Sequence, residues 1–431
     1  MKTICLISLG CPKNLVDSEK IIGILGNLGY AITTNIEESD YVIVNTCSFI
    51  KPAIAEAEEI ISRLKKMKKR FHFRIIISGC LPARNPEVFS NDKQVDGVIG
   101  PYDIVKMPEL IARIEQGEKV HLIKSDCIKH YCRMPRAVST FPYAYLKIVE
   151  GCSNMCSYCT IPLIRGSAVS FPEKEILKEA GILFKAGIKE LIIVGHDITS
   201  YGKDTQNGSL VHLLEEISRI GFPWIRLMYL HPSGITDDLL DLINDNSCFC
   251  KYLDIPIKKI NPIILQKMNR PVIDYERFFE HIKKSVRGVC LRTTLMVGFP
   301  GETDRIFNHL ISFIKEMRFH RLGAFMFSPE EETKACMMEN QVASEIKQER
   351  LRRLMAVQKE ISRQISSALV GHIVDVITEK RTDNYFEGRM PMDAPDIDCM
   401  VRFKGYARLG DIVKVKIYKS SPYVLYGRTI P

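Results

Sequence analysis

The sequence predicts an α/β protein in three parts: an N-terminal parallel α/β sheet domain, a central partial (β/α) barrel of the TIM type, and a small C-terminal antiparallel β-barrel. Three observations carry this. Short continuous apolar runs alternate with helix-like stretches over the first ~120 residues, the pattern of a parallel sheet covered on both faces. The alternation returns between residue 143 and about residue 327 with six strand–helix units, short of the eight that close a barrel. The last ~60 residues then switch to short alternating strands separated by Gly and Asp turns, as in a small barrel.

In the first part, residues 1–120, the run TICLISLG ends at Cys11, YVIVNT ends at Cys47, and RIIIS ends at Gly79-Cys80. Helical periodicity covers about 17–28 and 52–69. Ligands of such sheets collect outside the carboxyl ends of the strands, and all three cysteines fall at that edge. Free cysteine is also a common core residue, but the threefold repetition of one location favours ligation. Residues 121–142 (Asp126, Cys127, His130, Cys132, Pro135, Pro142) read as a linker. Cys127 and Cys132 have the spacing of a redox pair and are given no role.

The barrel, 143–345, has strands AYLKIV, ELIIVG, IRLMYL, YLDIP, LRTTLMV and LGAFMF, with helices at about 173–186, 210–220, 236–244 and 303–317. A charged linking helix, 346–367, leads to the last domain, 368–431, with strands HIVDVIT, YFEGRM, CMVRF, DIVKVKIY and YVLYGRTI. From residue 371 onward ten basic and eight acidic residues leave +2, weakly basic for a dedicated RNA-binding module.

With 431 residues and 46% apolar content the chain can bury a sizeable core. The net charge of +9 is mild for that length and suits ribosome contact and ordinary soluble enzymes alike. Fourteen cysteines in so long a chain point to a reducing compartment rather than a secreted disulfide scaffold. MKTICLISLGC has the look of a lipoprotein signal, yet its apolar run is short, is broken by Cys5 and Ser8, and leads straight into a helix start, PKNLVDSE. No run of about twenty apolar residues occurs, so no membrane span and a cytoplasmic location are expected.

The most specific local signal is EGCSNMCSYCTIPLIRG, a Cys-x3-Cys-x2-Cys after the first barrel strand. Cys152, Cys156 and Cys159 in a glycine-flanked loop suit one iron–sulfur cube whose fourth iron stays open. An open iron can bind the amino and carboxylate groups of S-adenosylmethionine and pass it an electron. Structural zinc prefers four ligands in paired units, and no fourth His or Cys fits here. Tyr158, inside the motif, is a candidate for stacking on adenine, although aromatic residues in such loops also serve the core.

On these residues the chain resembles the radical S-adenosylmethionine methylthiotransferases over essentially its whole length. Three lone cysteines, the Cys-x3-Cys-x2-Cys barrel and a terminal barrel, a TRAM domain in that family, come in the same order. The resemblance implies a second, auxiliary [4Fe–4S] cluster on Cys11, Cys47 and Cys80, able to carry the sulfur to be transferred. One branch of the family modifies an adenosine of transfer RNA; the other modifies the β-carbon of an aspartate in small-subunit ribosomal protein twelve. SLGCPKNLVDSE and DAPDID are similar to the ribosomal-protein branch, as are YLDIP, RTTLMVGFPGETD and FMFSPEEET. The near-balanced last domain agrees with a protein substrate.

Some positions depart from the family pattern. Ile257-Lys258-Lys259 follow YLDIP in place of Leu-Gln-His, His196 replaces a Gln ahead of Asp197, Phe171 replaces an Arg, and Glu332 a Gly. No cluster cysteine is touched. Arg226, Asp197, His231, Arg292 and Glu302 sit at or just after strand ends, where a barrel places its site; each is either a cofactor contact or a rim ion pair. In the FPGET turn Gly298, Pro300 and Gly301 permit close backbone approach to a ligand. The Lys-rich run at 63–74 is either a ribosomal RNA contact or a solvated helix end. Cys5, Cys248, Cys250, Cys290, Cys336 and Cys399 lack ligand spacing and read as packing residues.

The expected activity is methylthiolation of that ribosomal aspartate, with two [4Fe–4S] clusters and S-adenosylmethionine as cofactors. A ribosomal protein substrate, a sulfur donor and a low-potential electron donor are the implied partners. The alternatives are the same chemistry on transfer RNA, and a non-catalytic metal-bearing RNA-binding protein.

Overall fold

The computed structural model describes residues 1–123, 128–205 and 208–430, so Asp126 and Cys127 of the expected linker lie outside the described residues. The chain forms two compact units. One comprises Met1–Ser139, Tyr145–Ser153 and Cys159–Glu179; the other comprises Thr140–Ala144, Asn154–Tyr158 and Ala180–Pro431.

The first unit is built on six parallel strands, β1 (Thr3–Ser8), β2 (Ala31–Thr33), β3 (Tyr41–Thr46), β4 (Arg74–Gly79), β5 (Gly97–Ile99) and β6 (Val120–Leu122), in the order β2-β1-β3-β4-β5-β6. Every residue of β3 is buried, which is why its sequence is a continuous apolar run rather than an alternation. β2, β5 and β6 have three residues each, too few to show a period. The helix Lys51–Phe71 buries Ala57, Ile61 and Leu64 against Val42, Val44, Ile75 and Ile77, and its last turn carries Lys68, Lys69 and Arg70, favourable to the helix dipole. The first helix spans Pro12–Asn27, beginning at the helix start read in PKNLVDSE and extending the periodic stretch from about residue 17 back to Pro12. Cys11 is its extended N-cap and Pro12 its first residue, where proline's fixed φ and missing N–H cost nothing. A two-stranded antiparallel ribbon, β8 (Val149–Glu150) with β9 (Val169–Ser170), also belongs to this unit.

The second unit carries β10 (Glu190–Val194), β11 (Trp224–Leu227), β12 (Phe249–Asp254), β13 (Cys290–Val297) and β14 (Arg321–Met326). With β7 (Tyr143–Lys147), whose first two residues belong here, the order is β14-β13-β12-β11-β10-β7, an open sheet of six strands, as the six repeats predict. The helices Pro262–Lys267 and Tyr275–Ser285 were not anticipated. The second is capped by Asp274, which accepts from the Arg277 amide.

The last five strands, β15 (Ile373–Arg381), β16 (Phe386–Arg389), β17 (Met400–Lys404), β18 (Ile412–Ser420) and β19 (Val424–Thr429), close into a barrel in the order β15-β16-β17-β19-β18. It encloses Val376, Val401, Phe403, Val415, Ile417 and Leu425. The expected antiparallel barrel has one parallel pair, β17 with β19. A ring with an odd number of strands cannot alternate direction throughout, so one parallel neighbour is unavoidable.

A loop of this small barrel docks on the amino-terminal edge of the six-stranded sheet. Glu190, Cys290 and Arg321 are the first residues of β10, β13 and β14. Glu190 receives Arg389, the Cys290 sulfur lies 3.4 Å from the Met392 carbonyl, and Arg321 pairs with Asp393 at 2.6 Å. Tyr252 completes the contact with a 2.6 Å hydrogen bond to Asp398.

Candidate active site

In the first unit the three lone cysteines share one strand-end edge. Cys11 follows β1, Cys47 follows β3, and Cys80 opens the short helix after β4. The turns that deliver them need glycine. Gly10 has φ +92°, and a Cβ there would stand 2.6 Å from the Cys47 Cβ; Gly79 has φ +94°, and its Cβ would meet the Asn45 side-chain oxygen at 2.3 Å. Asn14 ties the edge together by donating to the carbonyls of Leu9 (3.1 Å) and Thr46 (2.9 Å). Asn45 returns a bond to the Asn14 carbonyl at 2.8 Å.

Cys47 and Cys80 are buried. Burial, with Cys80 and Cys11 nearby, pushes the Cys47 thiol up to about 12. Burial also raises Cys80, against the opposing charge of Arg165. Thiolates here therefore need a positive partner, which a metal centre supplies. Three soft sulfurs, two of them buried and Cys11 half-buried, mutually within electrostatic reach, suit iron–sulfur ligation. Among the described residues, no three His, Cys, Asp or Glu side chains have the arrangement of ligands to a single metal ion. A cube takes one thiolate per iron, so its ligands need not converge on one point.

Beneath Cys80 lies a buried polar cluster that sequence reading missed. Arg165 donates to the Cys80 sulfur from Nε (3.3 Å) and Nη2 (3.2 Å), to Asn14 Oδ1 (2.8 Å) and to Asp17 Oδ2 (2.9 Å), and lies 3.5 Å from Glu150 Oε2. Lys147 bridges Asp17 (2.6 Å) and Glu150 (2.7 Å), and the Tyr131 hydroxyl also donates to Asp17. Phe171, at a departure from the family pattern, stacks on Tyr131 at 5.3 Å. The Cys152 amide donates to the Gly166 carbonyl at 3.0 Å.

In the second unit, Arg270 brings Nη1 to 3.9 Å from the Cys156 sulfur while Nη2 donates to the Pro256 carbonyl. Asn269 donates to the carbonyls of Asn154 and Met155, and the Ser157 amide to that of Met268. The segment Asn154–Tyr158 is thereby held against the barrel at both backbone and side chain. Asn154 also donates to Asp197 at 2.8 Å. Tyr158 is buried, edge-on to Phe299.

The sequence candidates separate accordingly. Asp197 and Tyr158 lie with the cysteine loop. Arg226 does not: fully buried, it pairs with Glu190 at 2.6 Å and donates to the Pro391 carbonyl, so its side chain serves the amino-terminal edge, opposite the strand ends that carry the site. Arg292 pairs with Asp254 at 2.7 Å and approaches Asp398 at 3.4 Å. Glu302 is engaged by Lys259, by the Gly298 amide and by Arg350, which makes Lys259 its buried counter-charge. Gly298 is close-packed by protein, since a Cβ there would stand 2.2 Å from Lys347 Cγ. The approach that this glycine permits is that of a lysine side chain. His231, which hydrogen-bonds Ser233 at 2.7 Å, is pushed down to about 4 by burial and Arg270.

Profiles of three families match the chain: Uncharacterized protein family UPF0004 over residues 3–100, the Radical SAM superfamily over 146–314, and the TRAM domain over 370–430. The chain is 42% identical to the ribosomal protein uS12 methylthiotransferase RimO of Geotalea uraniireducens, over 99% of this chain and 98% of that one. It is also 42% identical to the protein of the same name from Carboxydothermus hydrogenoformans, over 99% of each. Among solved structures, the radical S-adenosylmethionine methyltransferase TsrM from Kitasatospora setae aligns with a TM-score of 0.56 at 16% identity, over 75% of this chain and 73% of that one, a likeness of fold. With matches of that identity running end to end, the chain belongs to the ribosomal protein uS12 methylthiotransferase RimO family of radical SAM enzymes.

Proposed function

We propose that this protein transfers a methylthio group to the β-carbon of an aspartate in ribosomal protein uS12. The end-to-end match to uS12 methylthiotransferases carries the reading. When bound, two [4Fe–4S] clusters and S-adenosylmethionine supply the electron, the hydrogen-abstracting radical and the sulfur. Cys152, Cys156 and Cys159 hold the cluster that binds S-adenosylmethionine, on the strength of their spacing. Cys11, Cys47 and Cys80 hold the auxiliary cluster, supported by their common strand-end edge and by the burial of Cys47 and Cys80.

The chain's own residues position and shield these groups. Gly10 and Gly79 admit the cysteine turns, while Asn14 fixes the ends of β1 and β3 to each other. Asn269 and Arg270 hold the Cys156 segment, and Asp197 orients Asn154. Tyr158 and Asp197 are the candidates that lie with the cysteine loop, Asp197 accepting from Thr199 and Asn154 and Tyr158 packing edge-on to Phe299. Arg292 lines the same sheet with about an eighth of its side chain exposed (12%).

The substrate is a protein of the small ribosomal subunit; a sulfur donor and a low-potential electron donor complete the cycle. Of the Lys-rich run at 63–74, Lys65 and Lys68 pair with Asp92 and Asp96, which leaves any ribosomal RNA contact to the remaining cations. Among the described residues no helix is long and apolar enough to cross a membrane, and a ribosomal substrate places the enzyme in the cytoplasm. Mass spectrometry of uS12 and of transfer RNA from a strain lacking the gene decides the matter. Loss of the methylthio mass from uS12 is expected; loss from transfer RNA alone overturns the proposal.

A further inference from the structure

Arg165 is an always-charged group buried to 1% exposure. Its cluster is already neutral without the cysteine: Arg165 and Lys147 balance Asp17 and Glu150. Ion pairing alone would favour a guanidinium fork set squarely on one carboxylate. Instead the Nε–H points at the Cys80 sulfur at 3.3 Å, with Nη2 beside it at 3.2 Å. Both N–H groups are thereby aimed at a sulfur that, as a cluster ligand, carries negative charge and accepts hydrogen bonds.

The guanidinium is also held from several sides. Its centre lies 5.9 Å from the Tyr102 ring, the Tyr102 hydroxyl donates to the Arg165 carbonyl, and Asn14 Oδ1 accepts from Nη2 at 2.8 Å. Gly166, which follows at φ +70°, ends the short helix Ile161–Arg165 and accepts from the Cys152 amide. The side chain is therefore placed before any ligand arrives.

We propose that Arg165 is the positioning residue of the auxiliary site: its two N–H groups hold the Cys80 sulfur as a thiolate ligand and raise the reduction potential of the cluster bound there. The inference rests on the assignment of Cys11, Cys47 and Cys80 to that cluster. Hydrogen bonds to cluster sulfurs and nearby positive charge both favour the more reduced, more negative state. The couple concerned takes one electron, supplied by dithionite through mediators, and breaks no bond.

The test is a redox titration followed by electron paramagnetic resonance. It uses full-length, anaerobically reconstituted protein in a Cys152→Ala, Cys156→Ala, Cys159→Ala background, so that the auxiliary cluster alone reports. Arg165→Gln is expected to weaken the cluster's hold on its electron at least tenfold, a midpoint about 59 mV more negative for one electron. Arg165→Lys, which keeps the charge and loses the fork, falls between. The double variant Arg165→Gln, Glu150→Gln restores a neutral cluster and replaces the single variant if that one does not fold. Less than a twofold change in both Arg165→Gln proteins overturns the role of Arg165 while leaving the cluster assignment standing. A background protein that binds no cluster overturns both.

Discussion

Glu190→Gln tests whether the buried ion cluster at the amino-terminal edge of the sheet secures the C-terminal barrel. Glu190 Oε1 accepts from Arg226 Nε at 2.6 Å and Oε2 from Arg389 Nη2 at 2.5 Å, with all three side chains at most 4% exposed. Burial pushes the Glu190 carboxyl up, but Arg226 and Arg389 outweigh it and hold it below the usual range. Its contribution is therefore present above the unfolded carboxylate value and is lost as pH falls through the folded one. After the substitution Arg389 keeps Glu379 at 2.6 Å. Arg226 keeps the Pro391 carbonyl and the Tyr252 face, 4.6 Å from the ring centre, but no carboxylate. One buried cation is thus left without a carboxylate, a cost of about 3–5 kcal/mol. At roughly 2–4 °C per kcal/mol for a domain of this size, melting should fall by about 10 °C. Circular dichroism of the anaerobic protein at pH 7 measures this, with Glu360→Gln, which breaks the exposed Glu360–Arg363 pair, as the control. If Glu190→Gln melts with the control, the cluster does not hold the two parts together and the reasoning fails.

His320 should make stability depend on pH. Burial, Arg321 and Lys283 push its imidazole down to about 4, and its Nδ1 accepts from the Leu291 amide at 3.2 Å. The unfolded chain therefore binds the proton first, so stability is complete above about pH 6.5 and drains as pH falls toward 4, by at most on the order of 3 kcal/mol. Urea melts of the parent and His320→Gln across that window should converge at low pH; a constant gap refutes the assignment. Gly79→Ala, at φ +94° and with Asn45 Oδ1 and the Thr46 carbonyl in the way, should lower stability by about 1–3 kcal/mol or more, and wild-type denaturation would sink the close-packing account. Cys80→Ala should drop reconstituted iron from about eight to about four per chain while leaving reductive cleavage of S-adenosylmethionine intact; unchanged iron removes Cys80 from the ligand set.

Much of the architecture was legible because it is local or periodic. Continuous apolar runs such as YVIVNT announce strands buried on both faces, and the six strand–helix repeats announced the open sheet. The short strands β2, β5 and β6 were invisible because three residues carry no period. The start of the first helix at Pro12 was legible in PKNLVDSE, ahead of the periodic stretch from about residue 17.

The cysteine positions follow from sequence alone, since spacing and strand-end location are properties of order along the chain. The partners of charged side chains do not. Arg226 and Glu302 looked like ligand contacts because they fall near strand ends, and their side chains pair with Glu190 and Lys259; Gly298 was singled out for close backbone approach, and the group packed on it is the Lys347 side chain. Arg165 lies 85 residues from Cys80 and 148 from Asp17, and no local pattern marks a guanidinium that will be buried. A buried charge must find its counter-charge wherever the packed chain brings one, and only the tertiary structure decides where that is.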